Sequence, residues 1–370
     1  MKKIFVNREN LKYNIEKIKQ YAPILDNGQE YTIIGIVKGN GYGLDLVQYS
    51  KILIENGIKT LAVATIEEAN ELRKSGIKTD ILMLSTVNHI DELEQLIEND
   101  IIITIGSKKS AELANEMAKK GNNIRAHIKI DTGFGRYGFI YNDFNTIIET
   151  IEGLEKRIKI EGIFSHFSMS YYKNNKWTKE QFDRFIEVLE MLKTNHIEIN
   201  LKHICNSSGF INYPEMHLNA ARIGSALLGR VSAEKDIGLK KIGEFKTTIS
   251  EIKTVPKGFN ISYVNAYKTK NKTKIAIIPF GYVEGYNIGP RNDMFRLIDK
   301  VRILYRDIKS LLKKEKLTVM INGKKYDIIG TLGMYHAVVD ITDGDVQIDD
   351  LVEININPIY LDRQIRREYI

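Results

Sequence analysis

The segment YTIIGIVKGNGYGLDLVQYSKILIENGIKTLAVATIEEANELRKSGIKTDILMLST (residues 31–86) contains three short apolar runs separated by two longer amphipathic runs. The short runs are rich in β-branched residues, as buried strands are. The longer runs place apolar residues three and four positions apart, as helices do. Each amphipathic run ends on a glycine, which is a common helix C-terminal signal. The segment therefore predicts strands that alternate with helices.

The same alternation continues towards the carboxyl end of the chain. Eight strand-like runs with helical patterns between most of them, within about 230 residues, are typical of a parallel (β/α)8 barrel. A doubly wound open sheet is the alternative, but no glycine-rich dinucleotide-binding turn follows the first run. The eight runs are YTIIGIVK (31–38), TLAVAT (60–65), DILMLST (80–86), IIITIG (101–106), RAHIKID (125–131), IEGIFSHF (160–167), LKHICNSS (201–208) and ARIGSALL (221–228).

The pattern changes after about residue 235, where short runs alternate with a period of two between Lys-, Asn- and Gly-containing turns. We therefore predict a barrel domain over residues 1–235 and a mostly β domain over residues 236–370. The strand-like runs of the second domain are EFKTTISEIKTV (244–255), FNISYVNAY (259–267), KIAIIPFGY (274–282), LTVMINGKKYDIIGTL (317–332), AVVDITD (337–343) and LVEININP (351–358).

Composition excludes several classes of protein. With 43% hydrophobic and 27% charged residues, a disordered or fibrous chain is not expected. The single cysteine, Cys205, rules out a disulfide scaffold and a multi-cysteine zinc module, and it is typical of the reducing cytoplasm. We expect no metal site.

The chain also lacks the usual signals for membranes and nucleic acid. No apolar run approaches the ~18 residues that a membrane span needs, and MKKIFVNRENLKYNIEKI (1–18) has no apolar stretch of a signal peptide. The net charge of +7 is spread along the chain and mixed with 47 acidic residues. We therefore expect neither a membrane nor a nucleic-acid partner, whereas anionic small ligands suit the charge.

Residues at the carboxyl ends of barrel strands form the functional face of such a fold. Small residues after the last two strands commonly bind a phosphate there. A strand-end lysine beside a phosphate site is what a Schiff-base cofactor such as pyridoxal phosphate requires. The rule selects Lys38, Lys129 with DTGFGR (131–136), His166, Asn206, Ser207, and Arg222 with Gly224 and Ser225.

Six ordered segments of the chain resemble the bacterial alanine racemases: VKGNGYG (37–43), KIDTGFGRYGF (129–139), HICNSSGF (203–210), ARIGSALLGR (221–230), ISYVNAY (261–267) and IPFGYVEGY (278–286). The first resembles the family's pyridoxal-phosphate lysine motif. The resemblance runs from NRENLKYN (7–14) to the end of the chain. It implies a fold-type III enzyme with a barrel, a β domain and a head-to-tail homodimer whose sites use residues from both subunits.

The resemblance also implies roles for individual residues. Lys38 would hold the cofactor as a Schiff base and act as one of two acid/base groups. Tyr263, from the second subunit, would be the other. Arg222 would face the pyridine nitrogen and, being permanently charged, would leave that nitrogen unprotonated. The residues matched to the phosphate site are Tyr42, Ser207, Gly224 and Ser225.

Four further residues would support the reaction. An isolated phenol is a poor base at neutral pH, so His166 would favour the phenolate of Tyr263. Arg136 would contact the cofactor and the substrate carboxylate, and Met334 would contact the substrate. Lys129 matches a lysine that is often carbamylated in the family, and the resulting anion would position Arg136.

The chain departs from the family pattern at four places. Leu44-Asp45 replaces the usual His and Gly after the lysine motif, and Val264-Asn265 replaces a small Gly-Ala pair. Gly333-Met334-Tyr335 stands where the family has Cys-Met-Asp. The carboxyl-terminal stretch lacks the usual segment with a gating tyrosine, for which Tyr360 is a substitute candidate. These changes affect the predicted pocket but neither proposed base.

The predicted function is therefore pyridoxal-phosphate-dependent racemisation of an amino acid, with L-alanine converted to D-alanine for cell-wall peptide as the first choice. Serine, a broad substrate range, or a basic amino acid such as lysine or ornithine remains open because of the altered pocket motifs. A diamino-acid decarboxylase of the same plan lacks the Ser-Tyr motif found at 262–263. A lone-barrel cofactor carrier lacks a second domain.

Overall fold

The computed structural model of the chain describes residues 2–25, 28, 30–286, 297–312 and 316–370. Its strands, in chain order, are β1 (Lys3–Val6), β2 (Thr32–Ile36), β3 (Thr60–Val63), β4 (Asp80–Thr86), β5 (Ile102–Ile105), β6 (Ile124–Asp131), β7 (Phe139–Ile140), β8 (Ile158–Phe164), β9 (Leu201–His203), β10 (Ala220–Ile223), β11 (Gly243–Thr248), β12 (Glu251–Val255), β13 (Asn260–Ile261), β14 (Tyr267–Lys268), β15 (Thr273–Ile278), β16 (Thr318–Ile321), β17 (Lys324–Asp327), β18 (Ala337–Asp340), β19 (Leu351–Ile354) and β20 (Arg366–Tyr369).

Its helices are α1 (Arg8–Tyr21), α2 (Lys38–Tyr42), α3 (Leu46–Glu55), α4 (Ile66–Lys74), α5 (Ile90–Glu98), α6 (Lys108–Lys119), α7 (Phe144–Glu152), α8 (Lys176–Thr194), α9 (Ser207–Asn212) and α10 (Leu297–Leu312). The short segment α2 is a turn with left-handed φ angles rather than a right-handed helix. Short 3-10 turns lie at Pro214–Met216, Tyr263–Asn265, Tyr282–Glu284 and Pro358–Tyr360. None of the helices described is both long enough and apolar enough to cross a lipid bilayer.

Eight strands, β2 to β6 and β8 to β10, close into a parallel barrel. Each strand pairs in parallel with two neighbours, and the pairing of β10 with β2 joins the last strand to the first. The predicted (β/α)8 barrel is confirmed. The doubly wound alternative is wrong, because an open sheet leaves an edge strand at each side. Buried side chains of four adjacent strands (Ile34, Ile36, Ala62, Leu82, Ile102) pack as one apolar cluster.

Local sequence explains where the barrel helices begin and end. The side chains of Thr65 and Asn175 accept hydrogen bonds from the first turns of α4 and α8, as N-cap residues do. Gly57 and Gly76 follow the ends of α3 and α4 with φ of 83° each. A residue with a side chain adopts this left-handed conformation at a steric cost, so the glycines stop the helices there.

The second unit is mostly β, as predicted. Strands β17-β16-β19-β11-β1-β20 form one sheet in that order, β12-β15-β18 form another, and β13 pairs with β14. The unit also contains the 16-residue helix α10, which the sequence analysis did not predict. Its apolar residues Leu297, Val301, Leu304 and Ile308 recur at intervals of four and three, which is the helical signal that was overlooked.

The chain divides into two compact units at positions that differ from the predicted boundary at residue 235. One unit is Asn7–Ile242, and the other joins the first six residues to Gly243–Ile370. The reason is the pairing of β1, which lies between β11 and β20: Ile4 pairs with Phe245 on one side and with Arg367 on the other. The carboxyl-terminal stretch, for which no strand was predicted, supplies β20.

Candidate active site

A cavity of about 210 Å³ opens at the carboxyl ends of the barrel strands. Among the residues described, its lining contains four basic side chains, those of Lys38, Lys129, Arg136 and Arg222, and no Asp or Glu. Like charges gathered in a cavity repel one another, so this arrangement favours a bound anion. The other predicted residues that line it are Tyr42, His166, Asn206, Ser207, Gly224 and Ser225.

Lys38 follows the end of β2 and is only partly exposed. Burial lowers the pKa of its amine, and the cation of Arg136 lowers that pKa further. The neutral fraction of this amine at neutral pH is therefore larger than that of an exposed lysine. A neutral amine is the form that attacks a carbonyl carbon.

Tyr42, Ser207 and Gly224 form one wall of the cavity. The hydroxyl of Ser207 accepts hydrogen bonds from the backbone N–H groups of Gly224 (3.0 Å) and Ala226 (3.2 Å). A Cβ atom at Gly224 would lie only 2.2 Å from the hydroxyl of Tyr42, so glycine is needed to admit that hydroxyl. Burial raises the pKa of Tyr42 to about 12, which keeps the phenol neutral and able to donate.

Arg222 is held by a network of acceptors. Its Nη2 donates to the backbone oxygen of Ser165 (2.6 Å) and to Nδ1 of His166 (3.1 Å), and its Nη1 donates to Nδ1 of His203 (2.7 Å). A guanidinium group can only donate, so both Nδ1 atoms must be unprotonated acceptors. Burial lowers the pKa of Arg222 to about 10, which leaves it charged at neutral pH.

The network continues behind Arg222 to a second histidine. Because His203 accepts at Nδ1, its proton is on Nε2, which lies 3.1 Å from Nδ1 of His127. Burial, reinforced by the charge of Arg222, holds the pKa of His203 and of His166 well below the usual range. A Cβ at Gly162 would lie 2.6 Å from the ring of His127, so this glycine makes room for the ring.

Lys129 is almost fully buried, and its amine lies 4.4 Å from the centroid of the Phe164 ring. Burial lowers the pKa of Lys129 to about 7, and the cations of Arg222 and Arg136 add to that effect. About half of this amine is therefore neutral at neutral pH. Phe164 also lies beneath Arg222, with the guanidinium carbon 5.0 Å from the ring centroid.

Asp131 holds the loop that carries Arg136, and the sequence analysis did not assign it a role. Its carboxylate accepts from the backbone N–H groups of Gly133 (2.9 Å), Phe134 (2.8 Å), Gly135 (2.9 Å) and Arg136 (3.0 Å). Burial raises the pKa of Asp131, but the four donors outweigh it and the net pKa is lowered. An aspartate before two glycines is a turn signal that could have identified it. The sequence contains no comparable signal for His203, His127 and Phe164, which the structure places around Arg222 and Lys129.

Tyr263 lies in the β unit, on a strained turn. Its neighbours Ser262, Val264 and Asn265 all have left-handed φ angles of 66°, 60° and 51°. This conformation is a genuine outlier for a β-branched residue, and such strain concentrates at functional sites. The side chains of Tyr263 and Val264 are 72% and 94% exposed, and Tyr263 is not among the residues that line the cavity.

Met334 also belongs to the β unit and is 48% exposed. The backbone oxygens of Gly333 and Met334 accept from the N–H groups of Tyr282 (3.1 Å) and Val283 (3.3 Å). Three of the four predicted departures from the family pattern lie within this unit: the Tyr263 turn, Gly333–Tyr335 and the carboxyl-terminal stretch. Tyr360, the candidate gating residue, packs against Gly285. A Cβ atom added at Gly285 would lie 2.5 Å from the Cβ atom of Tyr360.

Fold and site together define a protein of the (β/α)8-barrel class whose cavity gathers four basic side chains, among them a partly exposed lysine of lowered pKa. The family model "Alanine racemase, N-terminal domain" matches residues 6–231, and "Alanine racemase, C-terminal domain" matches residues 242–360. The chain belongs to the alanine racemase family.

Individual relatives agree with this assignment. Alanine racemase 2 of Caldanaerobacter subterraneus subsp. tengcongensis is 34% identical over 95% of this chain and 84% of its own. The alanine racemase of Methanococcus maripaludis is 32% identical over 93% of this chain and 86% of its own. The solved structure of alanine racemase from Clostridium difficile 630 is 29% identical, with a TM-score of 0.85 over 100% of this chain and 95% of that one.

Proposed function

We propose that this protein is a pyridoxal-phosphate-dependent amino-acid racemase that converts L-alanine to D-alanine for cell-wall peptide. The observation that carries the proposal is the position of Lys38, whose amine of lowered pKa shares a cavity with three other basic residues and, among the lining residues described, no acidic one. Such a cavity suits a cofactor that carries both an aldehyde and a phosphate. The named relatives support alanine as the substrate.

The residues present fit this cofactor. Bound there, pyridoxal phosphate would acidify the Cα–H bond of an attached amino acid by delocalising the resulting negative charge. Lys38 would bind the cofactor covalently. Tyr42, Ser207, Gly224 and Ser225 would hold the phosphate, since the space at Gly224 that a Cβ would fill already admits a donor hydroxyl.

Arg222 would face the ring nitrogen of the cofactor. It stays charged at neutral pH, and its histidine neighbours accept hydrogen bonds from it rather than donate to it. With the cofactor bound, Arg222 would therefore offer the ring nitrogen a hydrogen bond without giving up a proton. Arg222 would thereby stabilise a negative charge on the substrate less strongly than a proton donor in its place would, and this would favour quick return of a proton to Cα over transamination.

Racemisation needs a proton acceptor on one face of Cα and a proton donor on the other. We assign these roles to Lys38 and Tyr263, and we assign to His166 the role of favouring the phenolate of Tyr263. Arg136 would bind the substrate carboxylate, held in place by the turn that Asp131 forms. Met334 would contact the substrate side chain.

The protein is proposed to act as a homodimer in the cytoplasm, with Tyr263 contributed across the subunits. The exposure of Tyr263 and Val264 on a strained turn supports a partner that covers them. A buried, unpaired Cys205 suits a reducing compartment.

Lys129 is proposed to react with CO₂ and to become a carbamate that positions Arg136. The amine must be neutral to react, and its pKa of about 7 means that the neutral fraction grows as the pH rises through that value. With ¹³C-labelled bicarbonate we expect one carbamate NMR signal at about pH 8 that fades below about pH 6. Lys129→Ala should remove the signal and Lys51→Ala, at an exposed position, should keep it. A signal that survives Lys129→Ala would refute the assignment.

The direct test incubates the purified protein and pyridoxal phosphate with single L-amino acids and measures the D-enantiomer by chiral chromatography. We expect D-alanine to form with the highest kcat/KM. L-lysine and L-ornithine should be poor substrates, because the described cavity lining offers no carboxylate to a second ammonium group. If no amino acid is racemised and CO₂ is released from a diamino acid, the protein is a diamino-acid decarboxylase and the proposal is wrong.

A further inference from the structure

The carboxylate of Glu68 contacts the backbone of the turn that carries Lys38. Glu68 lies in α4 and is only 6% exposed. Its Oε1 accepts from the N–H groups of Gly39 (2.5 Å) and Asn40 (3.3 Å), and its Oε2 accepts from the N–H of Ala64 (3.1 Å). One buried carboxylate therefore joins the turn after β2 to the loop after β3.

Local sequence predicts a different use for this side chain. Thr65-Ile66-Glu67-Glu68 is a capping-box pattern, in which the fourth residue accepts from the backbone N–H of the first. Half of the box is present, because the hydroxyl of Thr65 accepts from the N–H of Glu68 at 3.3 Å. The Glu68 carboxylate, however, accepts from the N–H of Ala64, which precedes Thr65. It also accepts from the N–H groups of Gly39 and Asn40, which follow Lys38. This diversion indicates a role beyond the start of α4.

The turn that Glu68 contacts needs support. Gly39, Asn40, Gly41, Tyr42 and Gly43 have φ angles of 66°, 55°, 62°, 54° and 82°, a run of five left-handed residues. Non-glycine residues adopt this conformation at a steric cost, and almost always singly. Asn40 offsets part of that cost, since its side-chain oxygen accepts from the N–H of Leu46 at 3.0 Å. Glu68 binds the first two N–H groups of the same run.

Glu68 also affects the charge of Lys38. Burial lowers the pKa of Lys38, the cations of Arg136 and Arg222 lower it further, and the negative charge of Glu68 raises it. Glu68 is not among the residues that line the cavity. It therefore acts on Lys38 without occupying space that a ligand would use.

We propose that Glu68 is a positioning residue for Lys38: its carboxylate holds the left-handed turn and so fixes the direction of the lysine amine. This inference rests on the proposed role of Lys38 as the residue that binds the cofactor. Glu68 does not line the cavity, and its effect is transmitted through the backbone of residues 39 and 40.

The test compares Glu68→Gln with Glu67→Gln, the exposed neighbouring acid on the same helix turn. Glu68→Gln should lower kcat for alanine racemisation by about 100-fold while changing KM less than about threefold, because the reacting amine is misplaced. Attachment of pyridoxal phosphate to the cofactor-free protein is then followed against pH, trapped with borohydride and located by peptide mass. In Glu68→Gln, the pH at which half of the protein carries the cofactor (the pH midpoint of attachment) should be lower, since loss of a negative charge lowers the pKa of Lys38.

Glu68→Asp separates position from charge and provides the test if the glutamine variant does not fold. It keeps the negative charge but shortens the side chain, so kcat should fall while the pH midpoint of attachment stays close to that of the unaltered protein. If both Glu68 variants match Glu67→Gln in kcat and in the midpoint, the proposal is overturned. If the unaltered protein neither attaches the cofactor at Lys38 nor racemises alanine, the proposed function itself fails, and this inference fails with it.

Discussion

Lys38→Ala should lower kcat/KM for alanine racemisation by about 10⁴-fold or more, because it removes the residue proposed to attach the cofactor and to serve as one of the two acid/base groups. The proposed reaction uses only the amine of Lys38, and that amine lies in the cavity. A lysine on the surface therefore cannot replace it. The measurements are the rate of D-alanine formation and the peptide mass after borohydride treatment with pyridoxal phosphate.

Lys51→Ala is the control for this substitution, since Lys51 is exposed on α3 of the same barrel. It should keep full activity and the borohydride-trapped adduct on Lys38. Lys38→Ala should retain a far-UV circular dichroism spectrum like that of the parent, because Lys38 lines the cavity and is not part of the apolar core. Activity of Lys38→Ala within about tenfold of the parent would remove Lys38 from the mechanism.

Tyr263→Phe should abolish racemisation while leaving cofactor attachment to Lys38 intact. The substitution removes one hydroxyl from an exposed side chain, so little loss of stability is expected. With Lys38 still present, one face of Cα keeps its acid/base group. In deuterated water, one enantiomer of alanine should therefore exchange its Cα proton without inversion, which ¹H NMR and chiral chromatography together detect. Racemisation at an unchanged rate would show that Tyr263 is not a base.

Mixing the two variants tests whether Tyr263 acts across subunits. In a dimer made of one Lys38→Ala chain and one Tyr263→Phe chain, one site would contain both intact residues and the other neither. Unfolding and refolding an equal mixture should make half of the dimers mixed, so about a quarter of the parent activity should return. If both bases came from the same chain, no activity would return.

Much of the barrel could be predicted from sequence because its signals are local. The period of apolar residues separates strands from helices within a window of about a dozen residues. Strand-end residues then follow from topology, and nine of those predicted line one cavity. Helix α10 was missed although its apolar spacing was visible, and the boundary of the units was misplaced because the pairing of β1 with β11 joins residues more than 230 positions apart.

The sequence by itself determined the barrel, the β-rich second unit and nine strand-end residues that line the cavity, since each depends on periodicity or on a short motif. Only the tertiary structure decided how those residues are held. Asp131 binding four N–H groups, His203 and His127 behind Arg222, and Glu68 on the turn of Lys38 are contacts between side chains and backbone that no periodicity encodes. The charge state of the site follows from the same packing. Burial among cations, and not residue type, lowers the pKa of Lys38 and brings that of Lys129 to about 7.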